Sequence, residues 1–140
     1  MSSSLRATAQ VLLGAFLVLA GTAHLTFART DFRAQVPPWV PLDVDLVVLA
    51  SGVVEIVCGA ALLLAWRQPH RAIVGGAVAL LFVAVFPGNI AQLTEHRDAF
   101  GLTSDTSRAV RLLFQPVLVV WALWCTDAVG WWRRRHEHRA

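Results

Sequence analysis

Four runs of mostly apolar residues, at about 7–27, 43–66, 72–93 and 109–129, divide this 140-residue chain and leave only short connections between them. Each run is near the ~20 residues that a helix needs to cross a hydrocarbon core of ~30 Å. Lipid offers no partner to a peptide group, so such runs are expected to satisfy their backbones within helices, and none of them alternates as a strand would. The expected fold is therefore all-α and polytopic: four transmembrane helices in an antiparallel bundle, one domain over residues 1–140. Composition points the same way, since 56% of the residues are hydrophobic and 15% charged, against about 45–50% and about 25% in soluble domains.

All twelve basic residues are arginine, and they lie between or at the ends of the apolar runs. The positive charge thus belongs to membrane flanks, and nucleic acid is not an expected partner. With four spans both termini share a side. That side collects Arg6, Arg67, Arg71, Arg133, Arg134, Arg135 and Arg139, which predicts cytoplasmic N- and C-termini. The first run is read as a span, although "AGTA" at 20–23 has the small residues of a cleavable leader.

Inside these runs polar residues are few: His24, Glu55, Asn89, Gln92, Gln115 and, near the inner end, Asp127. Such residues are expensive in a membrane and mark functional pathways or helix contacts. Glu55, in "SGVVEIVCG", lies three residues after Gly52 and four before Gly59. It shares their stripe and is expected to point at neighbouring helices. Gly14 and Gly21 form a matching pair on the first span. At 1.5 Å per residue His24 and Asn89 fall roughly 5 Å below the outer boundary, Gln115 about 10 Å and Glu55 about 16 Å. Side chains lean toward helix N-termini, so these four converge in depth and are expected to line one cavity open to the extracytoplasmic side.

Pro87 in "FPGNI" and Pro116 in "RLLFQPV" each remove a backbone donor, and Gly88 loosens the chain before Asn89. These are ordinary kinks or the walls of a cavity. Arg108, Arg111 and Gln115 share a helix face, so Arg111 either meets a ligand at the rim or snorkels to the surface. Pro37, Pro38 and Pro41 stiffen the first outer loop, with Trp39 as a cap over the bundle or an interfacial anchor. Ser104, Asp105, Thr106 and Ser107 can all start the fourth helix. Cys58 and Cys125 lie at comparable depth and read as small core residues able to touch. His136 and His138 do not make a metal site, and no metal is expected.

"GTAHLTF", "VPPWVP", "SGVVEIVCGAALL" and "VFPGNIAQ", in this order and spacing, resemble the DoxX-like family of small four-helix membrane proteins over roughly residues 10–125. The resemblance implies a compact bundle in the bacterial cytoplasmic membrane. One branch of that family looks like the small subunit of a thiosulfate:quinone oxidoreductase, another accompanies oxidative-stress enzymes, and a eukaryotic relative is similar to a receptor assembly chaperone. Its pattern picks out His24, Pro38, Trp39, Glu55, Pro87 and Asn89, with Gly88 where alanine is more usual.

Three readings follow. In the first, a quinone or similar isoprenoid-tailed molecule binds in the cavity. Glu55 and His24 then exchange protons with its head as the catalytic pair, while Asn89, Gln115, Gln92, Arg111 and Trp39 contact it and Pro38, Pro87 and Gly88 shape the backbone. No residue set here carries electrons alone, so a soluble or membrane redox partner is implied. The second is a non-redox protein that binds or modifies lipid-like molecules, and the third a membrane scaffold or assembly factor. Membrane lipid is a partner in all three, and self-association is open.

Overall fold

The computed structural model describes residues 2–139. Its regular structure is helical throughout: α1 (Ser3–Leu25), α2 (Arg29–Arg33), α3 (Val44–Leu64), α4 (His70–Ala84), α5 (Phe86–Thr94), α6 (Asp105–Cys125) and α7 (Ala128–Glu137). Among the described residues there is no strand beyond a lone bridge between Ala99 and Leu102. Taking α4 and α5 together, four helical stretches are long and apolar enough to cross a membrane.

The helix ends follow local chemistry. Asp43 caps α3 by accepting the Leu46 N–H at 3.0 Å, and Ser104 and Ser107 form a reciprocal capping box at the start of α6. The fourth helix therefore begins four residues before the expected position 109. It also ends earlier, at Cys125. Asp127 takes a left-handed backbone (φ 54°), and the Trp131 and Trp132 segment forms a separate helix, α7. Asp127 sits at this corner, outside the long helix that was expected to contain it. The third apolar run is divided at Val85, where Pro87 occupies the first turn of α5. Pro116, by contrast, leaves α6 unbroken. The first loop is less extended than its prolines suggest, since Arg29–Arg33 forms a short helix before the Pro37–Val40 turn.

Helix α1 packs along α3 through glycine. A Cβ on Gly14 would lie 3.0 Å from the Gly59 carbonyl oxygen, and one on Gly59 would lie 2.7 Å from the Gly14 carbonyl oxygen. Gly21 and Gly52 face each other in the same reciprocal way. The pairs step up one helix and down the other, so α1 and α3 run antiparallel with backbones in contact. Helix α6 packs against α4, and at the far side against α1, around a core that includes Leu13, Leu17, Leu62, Val78, Phe82 and Ala122. Cys125 belongs to this core, Cys58 packs at its edge, and both are free thiols.

The outward faces of the long helices carry large aliphatic groups, such as Leu19 (63% exposed), Leu80 (70%) and Leu113 (72%). Exposed apolar surface on every long helix is unlike a monomeric soluble domain, in which contiguous apolar patches are small.

Gly52→Ala places a methyl 2.6 Å from the His24 Cβ and 2.9 Å from the Gly21 carbonyl oxygen. Overpacking of this kind is expected to cost about 1–3 kcal/mol. Gly101 has open space around it and φ 71°. Gly101→Asn, which suits that conformation, is expected to be near neutral. Denaturation of both variants in detergent checks the contrast.

Candidate functional site

The close approach of α1 and α3 places His24 and Glu55 together. His24 Nδ1 is 3.3 Å from Glu55 Oε2, and the side chains are only 7% and 12% exposed. The same Nδ1 is 2.9 Å from the Ala20 carbonyl oxygen. A carbonyl only accepts, so Nδ1 carries a hydrogen and donates it there. Glu55 Oε2 consequently has a nitrogen nearby but no hydrogen bond, although it is buried. Ser51, one turn before Glu55, does not relieve it, because its hydroxyl donates to the Val48 carbonyl at 3.0 Å. A buried acceptor left in this state costs about 1–3 kcal/mol, and more when charged.

Facing this pair is an amide network that is already satisfied. Asn89 Nδ2 donates to Gln115 Oε1 at 3.0 Å, and Gln115 Nε2 donates to the Phe82 carbonyl at 2.7 Å. The break between α4 and α5 thus finds a partner for a carbonyl beside it, on α6. Gln35, from the first loop, gives its Nε2 to both Asn89 Oδ1 and Gln92 Oε1 at 3.1 Å. Gly88 is what admits this loop, since a Cβ there would collide with the Gln35 carbonyl oxygen.

The loops close over that end. Arg97 donates to the carbonyls of Ala34 (3.2 Å) and Val36 (2.9 Å), and the Phe100 N–H donates to Asp31 at 3.0 Å. Arg108, 5% exposed, binds Asp98, Asp105 and the Arg97 carbonyl. Phe32 of α2 stacks on the His24 imidazole, with ring centroids 3.3 Å apart and planes inclined by 16°. Phe100 meets Phe32 edge-on at 4.7 Å, and the Arg111 guanidinium lies 4.6 Å from the Phe100 centroid. An aromatic and ionic roof therefore covers His24.

Beneath the roof is a cavity of about 390 Å³, within the range of about 300–1,000 Å³ typical of small-molecule sites. His24, Glu55, Asn89, Gln115 and Arg111 all line it, together with Ser51, Gln35, Phe32 and apolar groups of α1, α3, α4 and α6. Arg111 forms no ion pair among the described residues. The exposed members of the lining are Phe16 and Ala84, on the sides of α1 and α4 and remote from the loops. Loop residues Phe32, Gln35 and Val36 thus line the end expected to be open, and the exposed lining residues are apolar.

Of the residues expected to contact a ligand, Trp39 and Gln92 do not line the cavity. Trp39 is 71% exposed beside Pro38 in the Pro37–Val40 turn, and Gln92 is 1% exposed with its amide held by Gln35. Pro87 is exposed, while Gly88 lines the wall. Sequence reasoning missed Gln35, Phe32 and Phe100, which lie in the connections between the apolar runs, where no period is readable. It also missed Gln10 at the opposite end, which is fully buried. Gln10 Nε2 donates to the Leu62 carbonyl at 2.7 Å, and its Oε1 accepts from Arg71 Nε at 2.7 Å. A lone amide on the Gln10–Gly14–Leu17–Gly21 stripe was the signal for it.

An all-α chain with four helices apolar enough to span a membrane and a cavity holding a buried acid has the build of a multi-pass membrane protein. Residues 13–126 match the family model described as a domain of unknown function (DUF8561), and the chain belongs to that family. No curated protein and no solved structure matches it. The matched region contains every residue that lines the cavity.

Asn89→Leu removes one partner each from Gln35 and Gln115, and is expected to destabilise by about 1–3 kcal/mol for each buried group it strands. A double-mutant cycle of Asn89→Ala with Gln115→Ala, read by denaturation in detergent, is expected to give a coupling of about 0.5–3 kcal/mol. Additive effects would contradict the network.

Proposed function

We propose that this chain is a membrane-inserted antiparallel four-helix bundle, with both termini cytoplasmic, that takes the head of a lipid-borne molecule into its cavity. A quinone is the proposed ligand. The observation that carries this reading is Glu55 Oε2, a buried oxygen without a hydrogen bond, in the wall of a roomy cavity whose neighbouring amides are already paired. A carboxylic acid donates to a quinone carbonyl, and a carboxylate accepts from a quinol hydroxyl, so one residue complements both forms of the head. Arg111 offers donors from α6, whose backbone does not approach that of α3, which suits a ring with polar atoms at opposite ends.

The exposed apolar lining residues Phe16 and Ala84 support a ligand delivered from lipid, with its tail left between helices. The exposed aliphatic faces of the long helices support insertion. The order of "GTAHLTF", "VPPWVP" and "VFPGNIAQ" supports kinship with DoxX-like proteins and, with it, a place in the bacterial cytoplasmic membrane. Reduction of a bound quinone to quinol consumes two electrons and two protons. The electrons come from a separate redox partner, and Glu55 with His24 supplies the proton path at the head.

The test is mass spectrometry of small molecules that co-purify with the detergent-extracted chain. A quinone is expected with the wild type and at least a tenfold lower amount with Glu55→Gln. Ser51→Phe, which fills the cavity without altering Glu55, is expected to exclude it as well. Co-purification of a non-quinone lipid, lost in the same variants, would favour a lipid-binding protein. Retention of the same small molecules by all three proteins would overturn the site.

A further inference from the structure

At the end where α1 begins and α6 finishes, a second cavity of about 350 Å³ lies between Arg6 and the α6–α7 corner. Its walls are apolar, from Val120, Leu123, Trp124 and Val129. Arg6 and Asp127 also line it, with Arg6 donating to Asp127 at 2.9 Å, and Arg134, just outside the lining, donates to the same carboxylate at 2.7 Å. Two guanidinium groups thus share one carboxylate, which leaves a positive charge uncompensated beside the cavity. The hydrogen bonds from Arg134, and then from Arg6, hold the Asp127 carboxyl below its ordinary range, so the carboxylate stays charged. Arg6 Nε is buried with no acceptor, and its Cζ lies 5.9 Å from the Trp124 ring centroid.

We propose that this cavity binds an anionic phospholipid, its phosphate accepting from Arg6 and Arg134 and one acyl chain lying along Val120, Leu123 and Val129. The charge asks for an anion. The walls ask for a hydrocarbon attached to it, since Val120 is 64% and Val129 41% exposed beside the arginines. Arginine stems run along apolar surface while their heads meet a phosphate, and basic pockets between membrane helices hold anionic headgroups in this way. Arg133 and Arg135 on α7 add positive charge nearby. Trp132 of the same helix packs on Gly76 of α4, where a Cβ would lie 2.7 Å from the indole, so α7 is fixed in place. The site rests on the membrane insertion proposed above but is independent of what occupies the other cavity.

The test is native mass spectrometry of the full chain in detergent, titrated with phosphatidylglycerol, with phosphatidylcholine of the same acyl chains, and with glycerol 3-phosphate. The expected result is retention of phosphatidylglycerol at least tenfold above phosphatidylcholine, with no retention of glycerol 3-phosphate. Arg6→Gln combined with Arg134→Gln is expected to abolish the preference. Asp127→Asn frees both arginines and keeps a residue suited to the left-handed corner. It is expected to raise phosphatidylglycerol affinity severalfold, and it decides the matter if the double variant does not fold. Equal retention of the two lipids, or a weaker preference in Asp127→Asn, would overturn the proposal. Glycerol 3-phosphate bound as well as the lipid would mark a free-phosphate site and overturn it too. Glu55→Gln is expected to keep the preference, so failure of the quinone reading and failure of this one are read separately.

Discussion

Where Gly21 meets Gly52, the carbonyl of each residue occupies the space that a Cβ on the other would need. Helices in lipid lack a hydrophobic drive to associate, so close backbone contact through small residues is how they gain packing energy. Much of the rest of the molecule follows from this contact. His24 lies three residues beyond Gly21 and packs its Cβ over Gly52, and Glu55 lies one turn beyond Gly52. The acid and the imidazole are therefore neighbours because two backbones touch, and a larger residue at either glycine would separate them.

The polar groups around the cavity fall into two kinds. Gln35, Asn89, Gln92 and Gln115 form a connected set in which donors meet acceptors. Satisfied networks of this sort rigidify a low-dielectric interior. They hold α5 to α6 and the first loop to α5. Glu55 is different, because its imidazole neighbour spends the Nδ1 hydrogen on the Ala20 carbonyl. The rigid amides shape the cavity, and on the proposed reading the unsatisfied carboxyl recognises what enters it. Phe32 lines the cavity on the loop side of this carboxyl, with Phe100 packed against it edge-on.

The four apolar helices were legible because length and hydropathy alone specify them. The glycine stripes were legible because helical period places Gly14, Gly21, Gly52 and Gly59 at matching intervals. The grouping of His24, Glu55, Asn89 and Gln115 around one cavity followed from helix depth and side-chain lean, whereas the helix face that Arg111 shares with Gln115 left it open between the rim and the surface. What lay beyond reach was tertiary. Nothing local in "FRAQV" says that Gln35 reaches Asn89, and nothing in "DAFG" says that Phe100 closes on Phe32. Span depths say where a cavity lies, whereas the presence of Phe32, Gln35 and Val36 in its lining depends on how the loops fold over it. The break at Asp127 also hides from composition, because "TDAVGWW" continues the apolar character of α6 into α7.

The most direct measurement is labelling with a hydrophobic carbodiimide, which reaches carboxyl groups from the lipid phase, followed by peptide mass mapping of the membrane-embedded chain. The account predicts an adduct at Glu55 that forms faster than at any loop acid and is suppressed by a short-chain benzoquinone. An unlabelled Glu55, or labelling that proceeds at the same rate with and without the quinone, would contradict it.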